Sequence, residues 1–320
     1  MKKFFNTAGP TNSADHYHIS SLERIDWEEV EMLIASKKYF LLHAPRQTGK
    51  TSALLEMMET LNNADDYNAL YANIEAAQAS RNDKESGIGG VCSVITDSSS
   101  LYLNDDRLAS WYKDEGRAVE VDNRLKGVLT KLAELSTKPV VLFLDEADAL
   151  IGDTLISLLR QIRAGYAQRP DHFPQTIVLC GLRDIKDYRI HRSDGEIITG
   201  GSAFNIKSES LRLGNFTQQE VKELYQQHTT ETGQAFATEI YPALWEDTKG
   251  QPWLVNALAY EMSWKNRALR DRTINITLEH YQAARESLIR SRATHLDQLA
   301  DKLKEPRVHR VISAMLESEE

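Results

Sequence analysis

Residues 44–51 read Ala-Pro-Arg-Gln-Thr-Gly-Lys-Thr, directly after the apolar run 39–42 and directly before a helical pattern that begins at Thr51. Strand, glycine-containing loop and helix in this order are the setting that a phosphate-binding P-loop requires. In such a loop, backbone N–H groups and the positive end of the helix face the phosphates, and Lys50 adds a point charge. Thr51 would place its hydroxyl on a Mg²⁺ ion. The stretch therefore predicts a nucleotide phosphate site at the end of a strand.

The loop departs from the strict GxxxxGK(S/T) pattern at Ala44, where the first glycine is usual. Alanine fits there only if φ stays negative, whereas Gly49 stands where a Cβ is poorly tolerated. The alternative interpretation is a chance Gly-Lys pair ahead of a helix, but the flanks on both sides favour a P-loop. The residues predicted to bind the phosphates are Pro45, Arg46, Gln47, Thr48, Gly49, Lys50, Thr51 and Ser52.

A second motif occupies residues 139–146 and reads PVVLFLDE. An apolar run closed by two carboxylates predicts a strand buried on both faces of a parallel sheet. Its acidic end lies at the sheet edge where open α/β folds bind ligands. Asp145 is predicted to support Mg²⁺, directly or through water, and Glu146 to take a proton from an attacking water. The alternative is that both carboxylates cap a helix that begins near Ala147.

Composition limits the class of protein only broadly. The chain has 320 residues, of which 41% are hydrophobic and 27% charged, enough for a sizeable core in two or three domains or subdomains. The net charge of −9 does not indicate nucleic-acid or acidic-membrane binding. Cys92 and Cys180 lie far apart and in no paired spacing with histidine, which excludes a disulfide scaffold and argues against zinc. No apolar run approaches a membrane span, and residues 1–6 turn polar too soon for a signal peptide, so we expect a cytoplasmic protein.

Patterning divides the chain into four segments. They are a lead-in at 1–25, an α/β core at 26–214, a helical lid at 215–275 and a C-terminal helical segment at 276–320. Thr217 opens the helical part with a capping-box pattern. Further strands are predicted at 69–74, 176–180 and 210–213, and helices at 26–36, 154–165, 238–248, 252–268 and 277–291. Residues 76–137 read as mostly helical with breaks at 97–100 and 113–116, and residues 184–208 as a candidate mobile loop.

The strand at 176–180 is followed by Gly181-Leu182-Arg183-Asp184. If this strand lies between the P-loop strand and the acidic strand, its end faces the γ-phosphate. Arg183 is then the candidate reader of that phosphate, because a planar guanidinium suits phosphate oxygens and the charged transition state. The alternative is a surface ion pair of Arg183 with Asp184 or Asp187.

These motifs, together with Gly250-Gln251-Pro252, resemble the bacterial AAA-like ATPases of the AAA+/STAND branch of P-loop proteins, over about residues 5–303. The resemblance implies an ASCE-type P-loop NTPase with a parallel sheet, followed by an all-helical lid, and it implies ATP and Mg²⁺ as ligands. It also implies that a winged-helix segment often follows the lid. Residues 276–320 are therefore either a helical segment or the start of a truncated winged-helix domain.

The resemblance further implies a site for the nucleotide base. In relatives with a GxP motif, the proline-bearing turn packs on the adenine, which points to Gly250 and Pro252 here. The lead-in residues Tyr17, Ile19 and Arg24 would cover the base from the other side. From the residues alone, the same 250–252 stretch is a helix stop followed by a proline start, and both interpretations stay open.

The sequence thus predicts an ATP-hydrolysing switch or remodelling ATPase, with Lys50, Glu146 and Arg183 in catalysis and Thr51 and Asp145 at the metal. The alternative is a slow-hydrolysing STAND-like scaffold that assembles with ATP in signalling or antiviral defence. A small-molecule P-loop kinase is a third class, which rarely needs a carboxylate pair ending a buried strand. The expected partners are an unidentified protein or further copies of the chain.

Overall fold

A computed structural model describes residues 3–181, 189–191, 197–199 and 207–291, with a few positions after Ser291. The chain forms two compact units. The core unit spans Ser20–Asn215, and the helical unit joins Met1–Ile19 to Phe216–Glu320. The predicted loop at 184–208 and the predicted C-terminal helical pattern after Ser291 lie largely outside the described residues.

The core unit is built on a five-stranded parallel sheet. Its strands are β1 Tyr39–His43, β2 Asn68–Asn73, β3 Val140–Asp145, β4 Thr176–Gly181 and β7 Lys207–Arg212, in the spatial order β2-β3-β4-β1-β7. Two short strands, β5 Arg189–His191 and β6 Ile197–Thr199, pair with each other in antiparallel register. Because β4 lies between the P-loop strand β1 and the acidic strand β3, the order confirms the predicted ASCE-type α/β fold.

Helices cover both faces of this sheet. They are α1 Trp27–Ala35, α2 Lys50–Ala64, α3 Lys84–Leu103, α4 Arg107–Asp114, α5 Val121–Leu135 and α6 Gly152–Ala164. Strands β3 and β4 are buried along their whole length, as continuous apolar runs predict. Two apolar cores result, one on each face, and alternate residues of each strand feed them.

The structure differs from the sequence prediction around two local segments, residues 97–100 and the turn after Glu146. The expected break at 97–100 does not occur, because α3 runs unbroken through it and buries Ser98 and Ser99. These small hydroxyl side chains pack inside the fold, and their burial outweighs their low helix propensity. The helix expected near Ala147 is only the 3₁₀ turn Ala147–Ala149.

The helical unit contains α7 Gln218–Thr232, α8 Ile240–Thr248, α9 Pro252–Tyr260 and α10 Leu278–Arg290. Helix α7 begins with the predicted capping box between Thr217 and Glu220. Helix α9 is shorter than predicted and passes into the π-helical turn Glu261–Lys265. The start of the chain belongs to this unit, since Phe5 and Tyr17 lie in its apolar core. Among the helices described, none is long and apolar enough to cross a membrane.

Candidate nucleotide site

The loop between β1 and α2 has the backbone of an anion-binding concavity. Gln47 and Gly49 take positive φ values of 60° and 90°, which curls the chain between two extended or helical neighbours. The Thr48 hydroxyl closes the loop by donating to the Pro45 carbonyl oxygen at 2.7 Å. Ala44 does not have a positive φ, so the condition for replacing the usual glycine is met.

Lys50 is buried against this loop. Its ammonium donates to the carbonyl oxygens of Ala44 at 3.1 Å and Pro45 at 3.2 Å. A buried ammonium held by two neutral carbonyls still lacks a counter-ion in these contacts, and a phosphate oxygen would supply one.

The start of α2 also favours an anion. Gly49 is the N-cap residue and has no side chain to bond the N–H groups of the first turn. A Cβ on Gly49 would lie 3.1 Å from the Arg24 Nη2 atom, in addition to the strain of its positive φ. The helix start is thereby open to a phosphate, as the sequence predicts. The other predicted phosphate contacts sit in the same stretch, with Pro45 and Arg46 exposed and Ser52 half-buried in the first turn.

Asp145 lies at the end of β3 and is fully buried. Its Oδ2 atom accepts hydrogen bonds from the Thr51 hydroxyl at 2.7 Å and the Tyr71 hydroxyl at 3.0 Å. Its Oδ1 atom accepts the backbone N–H of Glu146 at 2.9 Å. The structure thus brings together the two residues that the sequence predicts at a metal, although they lie on different elements.

These oxygen donors fit Mg²⁺ rather than a softer metal. A hydroxyl and a carboxylate are hard ligands, and Mg²⁺ is usually held by one or two such groups, with the rest of its shell filled by phosphate and water. Within the described residues, no cluster of three or more His, Cys, Asp or Glu side chains could cage a metal without a nucleotide. Thr51 and Asp145 would therefore hold a Mg²⁺ that arrives with the phosphates.

Glu146 follows the strand in an unusual conformation, with a φ of 58°. Its side chain caps nothing in the 3₁₀ turn that it precedes, which does not support the helix-cap interpretation for this carboxylate. Partial burial, then the charges of Asp145 and Asp148, raise the pKa of Glu146, while Lys50 opposes them. A carboxylate with a raised pKa is a stronger base once ionised, the property that a proton acceptor needs.

Arg24, a predicted base contact, lies against the phosphate loop. Its Nη1 atom donates to the Thr48 carbonyl oxygen at 2.8 Å and to the Gly214 carbonyl oxygen at 3.2 Å. The turn that carries it, Ser21–Arg24, is tied to α2 because Glu56 accepts the Ser20 hydroxyl at 2.6 Å and the Ser21 N–H at 2.7 Å.

The remaining predicted base contacts lie in the helical unit, where each has a structural role. The Tyr17 hydroxyl donates to Glu231 Oε2, and Ile19 packs at the edge of the apolar core. Gly250 has a φ of 72° and approaches Phe216 so closely that a Cβ would lie 1.9 Å from the Phe216 carbonyl oxygen. Pro252 occupies the first turn of α9, so the helix stop and proline start are present.

The sequence did not indicate that Tyr71 and Cys180 are neighbours of Asp145. Tyr71 lies on β2 in parallel register with Phe143, so it shares a sheet face with Asp145 two residues further on. Burial, and then Asp145, raise the pKa of the Cys180 thiol. The alternation of side chains along β2 and β4 shows which residues share a sheet face, but it identifies neighbours of Asp145 only when the register between the strands is known. Arg183 lies outside the described residues. The strand before it, β4, lies between β1 and β3, which is the condition for the predicted role of Arg183.

Solved structures resemble the fold of this chain. No curated protein sequence matches the chain. Among solved structures, the Walker-type ATPase PABY2304 of Pyrococcus abyssi is similar with a TM-score of 0.58 and 16% identity, over 95% of this chain and 80% of that one. Cdc6p of Pyrobaculum aerophilum gives a TM-score of 0.53 and 16% identity, over 82% and 66%.

These two likenesses support the P-loop fold. The family of AAA-like domains matches residues 21–315, which is most of the chain and includes the phosphate loop and the acidic strand. The protein therefore belongs to the family of AAA-like domains, whose fold is that of the P-loop ATPases.

Proposed function

We propose that the protein binds ATP with Mg²⁺ and hydrolyses it with water as the nucleophile. The observation that carries the proposal is the 2.7 Å hydrogen bond from the Thr51 hydroxyl to Asp145. It joins the end of the phosphate loop to the end of the acidic strand, and Glu146 follows Asp145 directly in the sequence. Binding alone would need the loop, whereas hydrolysis also needs a metal partner and a base.

The residues of the core unit have separate roles in the proposed reaction. Lys50, the loop amides and the first turn of α2 bind the phosphates and offset their charge. Glu146 orients the attacking water and takes its proton. Mg²⁺, when bound, supplies charge neutralisation between the phosphates, and Thr51 and Asp145 are the side chains that would hold it. Arg183 is proposed to read the γ-phosphate, since β4 ends between β1 and β3.

We also propose that nucleotide occupancy acts as a switch on the helical unit. The chain passes between the two units twice, after Ile19 and after Asn215. Arg24 is bonded to Gly214 beside the second of these crossings and to Thr48 in the phosphate loop. A loop that tightens around phosphates would therefore act on the chain where it leaves the core. The expected responders to the switch are a partner protein or further copies of the chain.

The proposal is tested by measuring phosphate release from Mg-ATP. Glu146→Gln should lose at least about a hundredfold in rate, the lower end of the contribution of a positioned acid–base group. Lys50→Ala should lose at least about as much, the effect of removing one electrostatic contact to the transition state. Glu59→Gln makes the same charge change on an exposed residue of α2 and should release phosphate at the wild-type rate.

Equal rates for wild type and Glu146→Gln would contradict the assignment of the base. An ATP-dependent increase in mass by light scattering, with no phosphate release from wild type, would support the assembly scaffold instead. Transfer of phosphate to an added metabolite would support a kinase.

A further inference from the structure

We propose that Tyr71 is a positioning residue for the metal site and acts through Asp145. This inference rests on the proposed Mg²⁺-dependent binding of ATP. The Tyr71 hydroxyl lies 3.0 Å from Asp145 Oδ2, the same oxygen that accepts the Thr51 hydroxyl at 2.7 Å. One carboxylate oxygen thus connects strand β2, strand β3 and the first turn of α2.

The two donors fill that oxygen. A carboxylate oxygen has two lone-pair sites, and here Thr51 occupies one and Tyr71 the other. The second oxygen, Oδ1, already accepts the Glu146 N–H at 2.9 Å. A direct bond from Asp145 Oδ2 to a metal would have to displace one of the two hydroxyls. Tyr71 therefore directs Asp145 to act on the cation through the Thr51 hydroxyl and bound water.

The environment keeps Tyr71 in this role. The ring of Tyr71 is buried, so its hydroxyl has to find its hydrogen-bond partner within the protein, and that partner is Asp145. The side chain is also fixed from outside, because the ring of Tyr102 packs edge-on against it with centroids 6.4 Å apart.

Register explains why this residue can reach the site. Strands β2 and β3 are parallel, with Tyr71 opposite Phe143 and Asn73 opposite Asp145. Positions two apart on a strand point to the same face, so Tyr71 stands one step before Asp145 on the face that Asp145 uses. A phenol is long enough to span that step, whereas Phe at the same position would fill the space without a donor.

The test measures metal binding separately from turnover. Wild type, Tyr71→Phe and Tyr102→Phe are titrated with Mn²⁺ in the presence of ATP, and bound Mn²⁺ is counted by electron paramagnetic resonance. A fluorescent ATP analogue in EDTA gives the metal-free affinity. Tyr71→Phe should raise the half-saturating Mn²⁺ concentration about tenfold, the effect of one hydrogen bond to a charged group, with the metal-free affinity unchanged. Tyr102→Phe removes a neighbouring hydroxyl and should bind Mn²⁺ as wild type does.

A double-mutant cycle separates positioning from packing. If Tyr71 acts through Asp145, Tyr71→Phe should have no further effect on Mn²⁺ binding in an Asp145→Asn background. The inference is overturned if Tyr71→Phe binds Mn²⁺ within twofold of wild type, or if its effect is equally large in that background. Failure of wild type to bind ATP in EDTA and in Mn²⁺ would instead overturn the proposed function, and the inference with it.

Discussion

The guanidinium of Arg24 donates to the carbonyl oxygen of Thr48 across 2.8 Å, and the Arg24 carbonyl oxygen in turn accepts the Gly214 N–H at 3.0 Å. Thr48 belongs to the phosphate loop, and Gly214 comes just before the chain leaves the core unit. One residue therefore connects the predicted phosphate cradle to the segment that leads into the helical unit. The base contact that the family resemblance implies for Arg24 stays a prediction.

Replacing Arg24 by methionine should loosen the phosphate loop. The aliphatic stem is kept, while the bonds to two carbonyl oxygens are lost, so we expect about a tenfold loss of affinity for ATP, GTP and tripolyphosphate alike. Isothermal titration with the three ligands makes the measurement. Ser21→Ala, which removes only the 3.3 Å contact from Arg24 Nη2 to the Ser21 hydroxyl, is the matched control. A loss confined to ATP, with tripolyphosphate affinity intact, would show that Arg24 contacts the base.

The charge of Asp148 should contribute to the position of the acid limb in the activity profile. Burial, Asp145 and Asp148, in that order, raise the pKa of Glu146, so the base is protonated at a higher pH than an ordinary glutamate. Asp148→Asn removes one of these charges and lowers the pKa of Glu146. The acid limb of the kcat–pH profile should therefore move to lower pH.

Glu75→Gln is the control for this shift, because Glu75 is the smallest of the causes that raise the pKa. It should move the limb in the same direction by less. An acid limb that stays in place or moves to higher pH in Asp148→Asn would mean that another group limits the rate.

Two glycines of the helical unit offer a comparison of backbone strain with steric contact. Both have positive φ, 72° at Gly250 and 78° at Gly233. A Cβ on Gly250 would meet the Phe216 carbonyl oxygen at 1.9 Å, whereas a Cβ on Gly233 would meet nothing within 4 Å. We expect Gly250→Ala to lower the free energy of unfolding by about 3 kcal/mol and Gly233→Ala by about 1 kcal/mol.

Urea denaturation of the two variants measures the difference. Equal losses of unfolding free energy in the two variants would show that the Phe216 backbone moves away from the added Cβ without a measurable cost. The comparison also tests a structural role for Gly250, because the backbone that it approaches closely is that of Phe216 in the helical unit.

The strands of the sheet could be predicted from sequence because they carry strong signals, whereas the position of β4 between β1 and β3 entered only as a condition for the role of Arg183. Residues 140–145 and 176–181 are apolar runs closed by chemically distinct ends, and the P-loop fixes the strand before it. Helix α3 was mispredicted at 97–100, since a run of serines favours a break locally while burial in the fold overrides it. At residues 97–100, tertiary packing and not local propensity determines that the chain is helical.

Site residues could be predicted where they belong to a short sequence motif. Lys50, Thr51 and Glu146 lie within short motifs. Tyr71 could not be assigned, because its role depends on the register of β2 against β3, which no local pattern specifies. The bond from Arg24 to Thr48 also joins positions that are distant in sequence, so no local pattern specifies it.

The identity of the nucleotide that the protein retains tests the central claim most directly. Wild type, Glu146→Gln and Lys50→Ala are incubated with radiolabelled ATP and Mg²⁺, separated from free nucleotide, denatured and analysed by thin-layer chromatography. Wild type should hold ADP, Glu146→Gln should hold ATP, and Lys50→Ala should hold neither. ATP in both wild type and Glu146→Gln would contradict hydrolysis at the site formed by Thr51, Asp145 and Glu146.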